Sequence, residues 1–224
     1  MLIFKINMVL IILFVKNYCF GQEIIEKECY IIHYSHIYEP KKITLLEELP
    51  YEIRNKLKNH LLDRIGKEYY SKIEFVKGLI INYKEMLKQD PKVKNYKWKI
   101  PTYDLDFKFS DIEKGIKYYC TKITLDSLGK VVNEIELPNV KKNPDRKDLI
   151  KKLTILEIIK RQKFNLVNCT LEYYPNNNLM VWRCEKYKKN MKRMKKNYGK
   201  AMTINAHNGK IISKGKMRGG IIYF

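Results

Sequence analysis

One short pattern occurs twice in the sequence, first as ITLDSLGKVV (residues 123–132) and again as MTINAHNGKII (residues 202–212). Each copy has a β-prone run, a short polar turn around a glycine, and a lysine followed by two β-branched residues. An Asn-Gly pair between two such runs is a strong signal for a β-hairpin, because the turn needs residues at positive φ. The sequence therefore predicts two β-hairpins of the same kind.

Each hairpin lies downstream of a predicted helix. In the first helix, over 49–65, an apolar residue recurs at every fourth position, Pro50 lies in the first turn and Gly66 is placed to end it. In the second, over 146–161, Asp145 is placed as the cap. The apolar faces consist of Leu49, Ile53, Leu57, Leu61 and Ile65 in the first helix and of Leu149, Ile150, Leu153, Leu156 and Ile159 in the second. A helix followed by antiparallel strands, twice over, predicts an α+β protein of two similar units, each a helix packed on an antiparallel sheet.

The remaining β-prone segments fit between these helices and hairpins. Residues 69–83 predict a strand with a turn or bulge at Lys77-Gly78, and residues 86–101 predict a polar, lysine-rich connection. Residues 103–109, 117–125 and 130–137 predict further strands. The short polar segment 138–144 has a proline at each end and is therefore the candidate boundary between the two units. We expect unit 1 over 22–138, a linker over 139–144 and unit 2 over 145–224.

The first residues have the pattern of a signal peptide over 1–21. Lys5 supplies a positive start, an apolar run follows over 8–15, and Cys19-Phe20-Gly21 places small residues where a signal peptidase cuts. The apolar run is much shorter than the roughly 20 residues that span a bilayer as a helix, so an uncleaved anchor is the less favoured alternative. We expect cleavage before Gln22 and export to the periplasm or the medium.

The charge balance is strongly basic. The chain has 45 Lys and Arg against 24 Asp and Glu, a formal net charge of +21. Such a charge favours anionic partners, namely nucleic acid, a membrane surface, a polyanionic glycan or an acidic protein. The alternative is a solvated surface of lysine-rich composition without a specific partner.

Four cysteines remain after the expected cleavage, and an oxidising compartment favours disulfides between them. If Tyr174 faces Leu179 across the four-residue loop between them, the antiparallel register places Cys169 opposite Cys184, near disulfide distance. Cys29 and Cys120 would then pair by elimination. Four buried thiols in a reducing compartment are the alternative.

Histidines and acids give no arrangement that favours catalysis or metal binding. His33 and His36 lie close to Cys29, but strand alternation would point the two histidines to opposite faces. Asp104 and Asp106 share a strand face and could form a catalytic pair, although a charged sheet edge is the favoured interpretation. We therefore predict no metal, no cofactor and no catalytic residue.

The second half resembles the peptidase-propeptide and related (PepSY) domains. The resemblance lies in a helix, strands with aromatic residues, and a closing motif of a strand, Asn205, a short turn, Gly209-Lys210 and two aliphatic residues. It covers about the last 80 residues, with a fainter echo at Asp126 and Gly129-Lys130. The resemblance implies a cystatin/PepSY-like arrangement in a small exported module that binds or inhibits another protein, often a peptidase. It supplies no catalytic residues.

A basic insertion over 186–200 departs from that family pattern and is the candidate partner-binding segment. Its basic residues include Lys186, Lys188, Lys189, Lys192, Arg193, Lys195 and Lys196, and it contains no acid. Four larger residues at helical spacing (Tyr187, Met191, Met194 and Tyr198) would make it a basic amphipathic helix for an acidic protein or an anionic membrane. A solvated loop is the alternative, and export makes nucleic acid a poor fit.

These patterns lead to three functional hypotheses. The first is a non-enzymatic exported binding protein for an acidic partner, such as a peptidase inhibitor or an immunity-type protein. The second is an exported enzyme acting on a polyanion, a nuclease or a glycan lyase, in which His33, His36 or His207 would be essential. The third is an envelope-surface protein that contacts anionic membrane through 186–200. The first is favoured, because the fold expectation supports it and no reactive arrangement supports the second.

Overall fold

The computed structural model describes residues 23–25, 27, 29, 34–162, 164, 168–187, 198–218 and 221–223. The predicted signal peptide lies outside them. The described chain is mixed α+β, with three α-helices and two sheets that are antiparallel apart from one parallel edge pair. The α-helices are α1 (Tyr51–Tyr70), α2 (Tyr83–Gln89) and α3 (Lys152–Arg161).

The first sheet has five strands, in the spatial order β2-β3-β4-β5-β6. They are β2 (Lys41–Ile43), β3 (Ile73–Ile80), β4 (Tyr103–Asp111), β5 (Ile116–Leu125) and β6 (Val131–Asn133). The second sheet has six strands, in the order β1-β7-β8-β9-β10-β11. They are β1 (Glu23–Ile25), β7 (Asn168–Tyr174), β8 (Leu179–Tyr187), β9 (Tyr198–Asn205), β10 (Ile211–Arg218) and β11 (Ile221–Tyr223).

Helix α1 forms as its apolar repeat predicts. The five stripe residues from Leu49 to Ile65 are all buried, and they join one apolar cluster with the inward side chains of β4. At Gly66 the backbone leaves helical geometry (φ 72°, ψ 169°) before a last turn that ends at Tyr70. The predicted break at this glycine is therefore confirmed, although helical turns continue beyond it.

Helix α3 is shorter than predicted, and Asp145 is not its cap. The helix begins at Lys152, because Lys151 has extended backbone and tertiary hydrogen bonds hold the residues on either side of it. The Ile150 amide donates to the Ala206 carbonyl at 2.8 Å, and the Lys152 amide donates to the Lys114 carbonyl at 2.8 Å. Asp145 lies instead in a 3-10 turn, Pro144–Arg146.

The apolar face of α3 also differs from the prediction. Ile159 is buried, as expected, but Leu153 is 70% exposed, and Ile155, which was not assigned to the face, is buried. The prediction was wrong at Leu153 because the buried face of the helix is set by Ile155 and Ile159, and Leu153 points away from both at 3.6 residues per turn. Leu149 is buried as a loop residue, not as part of the helix.

Helix α2 was not predicted, since its residues were assigned to a strand end and a polar connection. The Asn82 side chain caps it by accepting a hydrogen bond from the Glu85 amide at 3.2 Å. Met86 is its one buried side chain and packs in a second apolar cluster with Tyr34 and Tyr38. This cluster attaches the lysine-rich segment to the five-stranded sheet.

Both predicted hairpins are present. Strands β5 and β6 pair antiparallel, as do β9 and β10, and the turn glycines Gly129 and Gly209 have φ values of 77° and 73°. The predicted register of the β7–β8 hairpin is also confirmed, since Tyr174 faces Leu179 and Cys169 faces Cys184.

The predicted linker packs between the two halves of the chain. The Val140 amide donates to the Arg64 carbonyl at 2.7 Å, and the Asn178 side chain bonds to Asn139 and Asn143. One buried apolar cluster contains residues of α1, α3 and both sheets. In the part of the chain that the structure describes, no helix is both long and apolar enough to cross a membrane.

Candidate functional site

A row of three lysines crosses three neighbouring strands of the six-stranded sheet. Lys186 on β8 lies directly opposite Lys200 on β9, which lies directly opposite Lys216 on β10. Residues opposed in this way share a sheet face, and strand alternation makes it the face of Cys184 and Met202. Lys200 and Lys216 are exposed and Lys186 is half-buried.

None of these three ammonium groups has a carboxylate within 4.0 Å among the described residues. Like charges directly opposite each other destabilise a sheet. The row is therefore a concentration of positive charge that the described fold does not neutralise, and an external anion would relieve the repulsion.

The row lies at the base of the predicted basic insertion. Lys186 is the one predicted binding residue that the structure describes. The others, Lys188, Lys189, Lys192, Arg193, Lys195 and Lys196, lie outside the described residues. The sequence did not predict the contribution of Lys216, because only the register of β9 and β10 brings it beside Lys200.

A second basic segment follows β3 and was predicted only as a polar connection. It contains six exposed lysines, Lys84, Lys88, Lys92, Lys94, Lys97 and Lys99. Two of them are engaged, since Lys88 lies 3.8 Å from Glu85 and Lys99 lies 3.5 Å from Asp126. Trp98 is 48% exposed and stacks on Tyr96. Helix α2 and the 3-10 turn Pro91–Asn95 spread these charges over a folded surface.

The cysteines fall into one bonded and one unbonded pair. Cys29 and Cys120 form a disulfide with 5.1 Å between their Cα atoms. Cys169 and Cys184 are buried and unbonded in the structure, and their sulfur atoms lie 2.7 Å apart. The disulfide predicted between these two cysteines stays a prediction. Their hydrogen bond and their burial both raise the pKa of the Cys184 thiol, which opposes thiolate chemistry.

His207 lies in the turn between β9 and β10 and has a structural role. Its Nδ1–H donates to the Asp148 carbonyl at 2.7 Å, and its Nε2 accepts from the Met180 amide at 3.0 Å. Burial lowers the pKa of this imidazole, so the ring is neutral. Both ring nitrogens are therefore engaged, which argues against a general base here. His36 is exposed, and His33 lies outside the described residues.

Asp104 and Asp106 do not form a charged sheet edge. They lie on β4, which is paired on both sides, and only 2% and 4% of their surfaces are exposed. The edge interpretation was wrong because the sequence did not show that β3 and β5 both flank this strand. Lys122 Nζ lies 2.9 Å from Asp104 Oδ1 and 3.4 Å from Asp106 Oδ1, and the Tyr34 hydroxyl donates to Asp104.

The surroundings of this cluster change the pKa values of Asp106 and Tyr34. Burial raises the pKa of Asp106, more than Lys122 lowers it, and the Asp104 charge adds to the rise. Burial and the hydrogen bond to Asp104 likewise raise the pKa of Tyr34, so Tyr34 stays a neutral donor. Asp106 also lies near the sulfur atoms of Cys29 and Cys120, but the disulfide uses those sulfurs and leaves no thiolate ligands for a metal ion.

A cavity of about 190 Å³ opens over this cluster. The register gives Lys77, Asp106 and Lys122 as one row across β3, β4 and β5, and it places Leu79 directly opposite Asp104. The walls include Lys42, Ile43 and Thr44 from the β2 end of the sheet. The sequence missed this site, although the shared face of the two aspartates was a signal for it.

Comparison with known proteins gives no relative. No protein-family profile matches the chain, and neither curated proteins nor solved structures give a significant match.

Proposed function

We propose that this protein is an exported, non-enzymatic binding protein for an acidic protein, and that the lysine row forms part of the contact. The observation that carries the proposal is the direct opposition of Lys186, Lys200 and Lys216 without a carboxylate within 4.0 Å among the described residues. Acidic side chains of a partner would neutralise charges that repel one another in the free protein.

The location of the row favours binding to a protein partner over attraction that depends on net charge alone. The three lysines stand on hydrogen-bonded strands, so their backbone positions are fixed before binding. Fixed charges lower the ordering cost of association and favour a partner with a matching pattern of carboxylates. The basic residues of 188–196 follow directly in sequence and would extend the same contact.

We further infer that the chain consists of two PepSY-like units. In each half, a helix precedes four consecutive antiparallel strands, β3 to β6 and β7 to β10. In each half, the turn before the last of these strands has a glycine at positive φ. A Cβ at this glycine would point toward the helix of the same half. A Cβ on Gly129 would lie 3.1 Å from Ile53, and one on Gly209 would lie 2.9 Å from Ile158. This recurring contact supports two units of the same architecture.

The experiment is a binding titration with poly-L-glutamate as the acidic probe, at several salt concentrations. The test variant is K186Q/K200Q/K216Q. The matched control, K84Q/K92Q/K94Q, removes the same charge from exposed lysines of the other basic segment. Three exposed ion pairs at about 0.5 kcal/mol each predict roughly tenfold weaker binding for the row variant.

The control variant should lose less than threefold, through the change in net charge alone. Equal losses in the two variants would show that only net charge matters, and a larger loss in the control would place the contact on the 84–99 segment. Vesicles containing phosphatidylglycerol form a separate arm. Binding to them with higher affinity than to poly-L-glutamate would favour the membrane hypothesis and overturn the protein partner.

A further inference from the structure

The basic segment over 84–99 carries positive charge that its own acids do not offset. Glu85 is engaged by Lys88 at 3.8 Å, and Asp90 is only 5% exposed and accepts a hydrogen bond from the Ser35 hydroxyl at 2.9 Å. Four exposed lysines of the segment have no carboxylate within 4.0 Å among the described residues, namely Lys84, Lys92, Lys94 and Lys97. The segment is therefore a surface that attracts anions.

An exposed aromatic ring lies within this charged surface. Trp98 is 48% exposed and stacks on Tyr96, with the ring centroids 5.3 Å apart and the ring planes 18° apart. Its ring also contacts Tyr34, which is buried, at a centroid distance of 5.6 Å. The two tyrosines fix the plane of the indole, so its exposed part is a flat surface that is ordered before any ligand binds.

The backbone that carries the lysines is also held in place. Met86 of α2 and Val93 of the following 3-10 turn are buried in the apolar cluster of Tyr34, and Tyr96 packs against the same cluster. Charges and ring therefore keep fixed positions relative to one another, which lowers the ordering cost of binding.

The combination of charge and ring narrows the class of ligand. An acidic peptide or a lipid headgroup would pair with the lysines but would leave the indole unused. Two kinds of polymer carry both negative charge and rings, acidic polysaccharides and single-stranded nucleic acids. The C–H groups on one face of a sugar ring can pack on the negative face of an indole, and nucleobases stack on aromatic side chains.

We propose that the 84–99 segment binds an acidic polysaccharide that carries an anionic group on each sugar ring. One sugar packs on Trp98, and the anionic groups of its neighbours pair with the exposed lysines. The choice of a polysaccharide over a nucleic acid rests on the proposed export, for which the signal-peptide pattern is the support. The contact itself is separate from the lysine row, which lies on strands of the six-stranded sheet.

Titration of the full chain with three probes tests whether charge and ring act together. Oligogalacturonate carries a carboxylate on each sugar, its methyl ester keeps the rings without the charge, and poly-L-glutamate of matched length keeps the carboxylates without the rings. Trp98 fluorescence reports this site, because Trp182, the other of the two tryptophans, is 2% exposed. Oligogalacturonate should bind there at least about fivefold more tightly than either comparison probe.

Two pairs of variants, measured by isothermal titration calorimetry, separate the contribution of the ring from that of the lysines. W98A should weaken oligogalacturonate binding about fivefold and leave poly-L-glutamate binding unchanged. Its control is Y51A, which removes a 69% exposed aromatic residue of α1 outside the segment.

The lysine variants should reverse the order expected for poly-L-glutamate. K84Q/K92Q/K94Q should weaken oligogalacturonate binding roughly tenfold, whereas K186Q/K200Q/K216Q should weaken it less than threefold. The two probes thus separate a failure of this proposal from a failure of the acidic-partner function.

Three results would overturn the proposal. The first is oligogalacturonate binding at Trp98 that is absent or no tighter than that of the comparison probes. The second is an equal loss in W98A and Y51A. The third is tighter binding of oligothymidylate than of oligogalacturonate, which would assign the surface to single-stranded nucleic acid. If W98A unfolds, the three probes and the lysine variants still decide the matter.

Discussion

The turns of the β5–β6 and β9–β10 hairpins have similar backbone shapes but are stabilised by different chemistry. In the first, the Asp126 carboxylate accepts the amides of Leu128 and Lys130 at 3.0 and 2.9 Å. In the second, neutral groups replace it, since the Asn205 side chain accepts the His207 amide at 2.8 Å and the His207 ring bonds to two backbone groups.

The two turns also differ in how closely they pack. Asn205 is 7% exposed, and its turn lies against the loop and helix formed by residues 148–158. The Asp126 turn is near the surface, where Lys99 approaches the carboxylate to 3.5 Å. Hydrogen bonds to the Lys130 and Leu128 amides, together with Lys99, hold the pKa of Asp126 below its ordinary value. The comparison shows that an ionised acceptor suits a turn at the surface, whereas a buried turn uses amide and imidazole.

The largest expected effect comes from adding a methyl group to each turn glycine. Gly209→Ala should destabilise by about 2–4 kcal/mol, because it combines the cost of positive φ with overpacking against Ile158 and Ile150. Gly129→Ala should cost about 1–2 kcal/mol, because its neighbours Ile53 and Lys56 lie slightly farther away. Urea unfolding of both variants measures the difference. A larger loss of stability in Gly129→Ala than in Gly209→Ala would contradict the distinction between the buried and the exposed turn.

A reciprocal exchange of the two acceptors should give a smaller effect. Asn205→Asp places a carboxylate in a buried turn and should cost about 1–3 kcal/mol at neutral pH. Asp126→Asn keeps an acceptor oxygen at the surface and should be the milder change. Chemical denaturation at neutral pH tests both. Equal losses would mean that burial does not decide which acceptor each turn uses.

The smallest expected effect is the pH dependence of folding stability that protonation of His207 causes. The folded pKa of His207 is below its ordinary value of 6.5. The unfolded chain therefore takes up the proton first, and stability should fall as the pH decreases through about 6.5. The slope between pH 7.5 and 5.5 in urea unfolding should be smaller in H207Q than in the wild type. The control is H60Q, which removes a histidine of α1 that bonds to Glu134 and lies outside this turn. A slope unchanged in H207Q would exclude this role for His207.

The periodic and local signals in the sequence predicted much of the fold. The α1 stripe, the break at Gly66, the two turn glycines and the β7–β8 register all follow from spacing within one segment. The start of α3 could not be found in this way, because hydrogen bonds from Ile150 and Lys152 to distant carbonyls determine it. Helix α2 was missed because its cap, Asn82, follows a strand directly and its apolar side is a single buried residue, Met86.

The candidate sites depended on pairing between strands, which the sequence alone did not show. Lys186 was predicted from its basic surroundings, but its neighbours in the row come from β9 and β10. In the same way, Asp104 and Asp106 were correctly placed on one face but assigned to an edge. The position of β4 between β3 and β5 makes them the floor of a cavity.

The most direct test of the proposed function is lysine-labelling mass spectrometry with and without poly-L-glutamate. Each lysine reports separately, so the row can be compared with the 84–99 segment in one molecule. The proposal predicts that the probe protects Lys186, Lys200 and Lys216 from acylation more strongly than Lys84, Lys92 and Lys94. Equal protection at both segments, or protection of the 84–99 lysines alone, would contradict it.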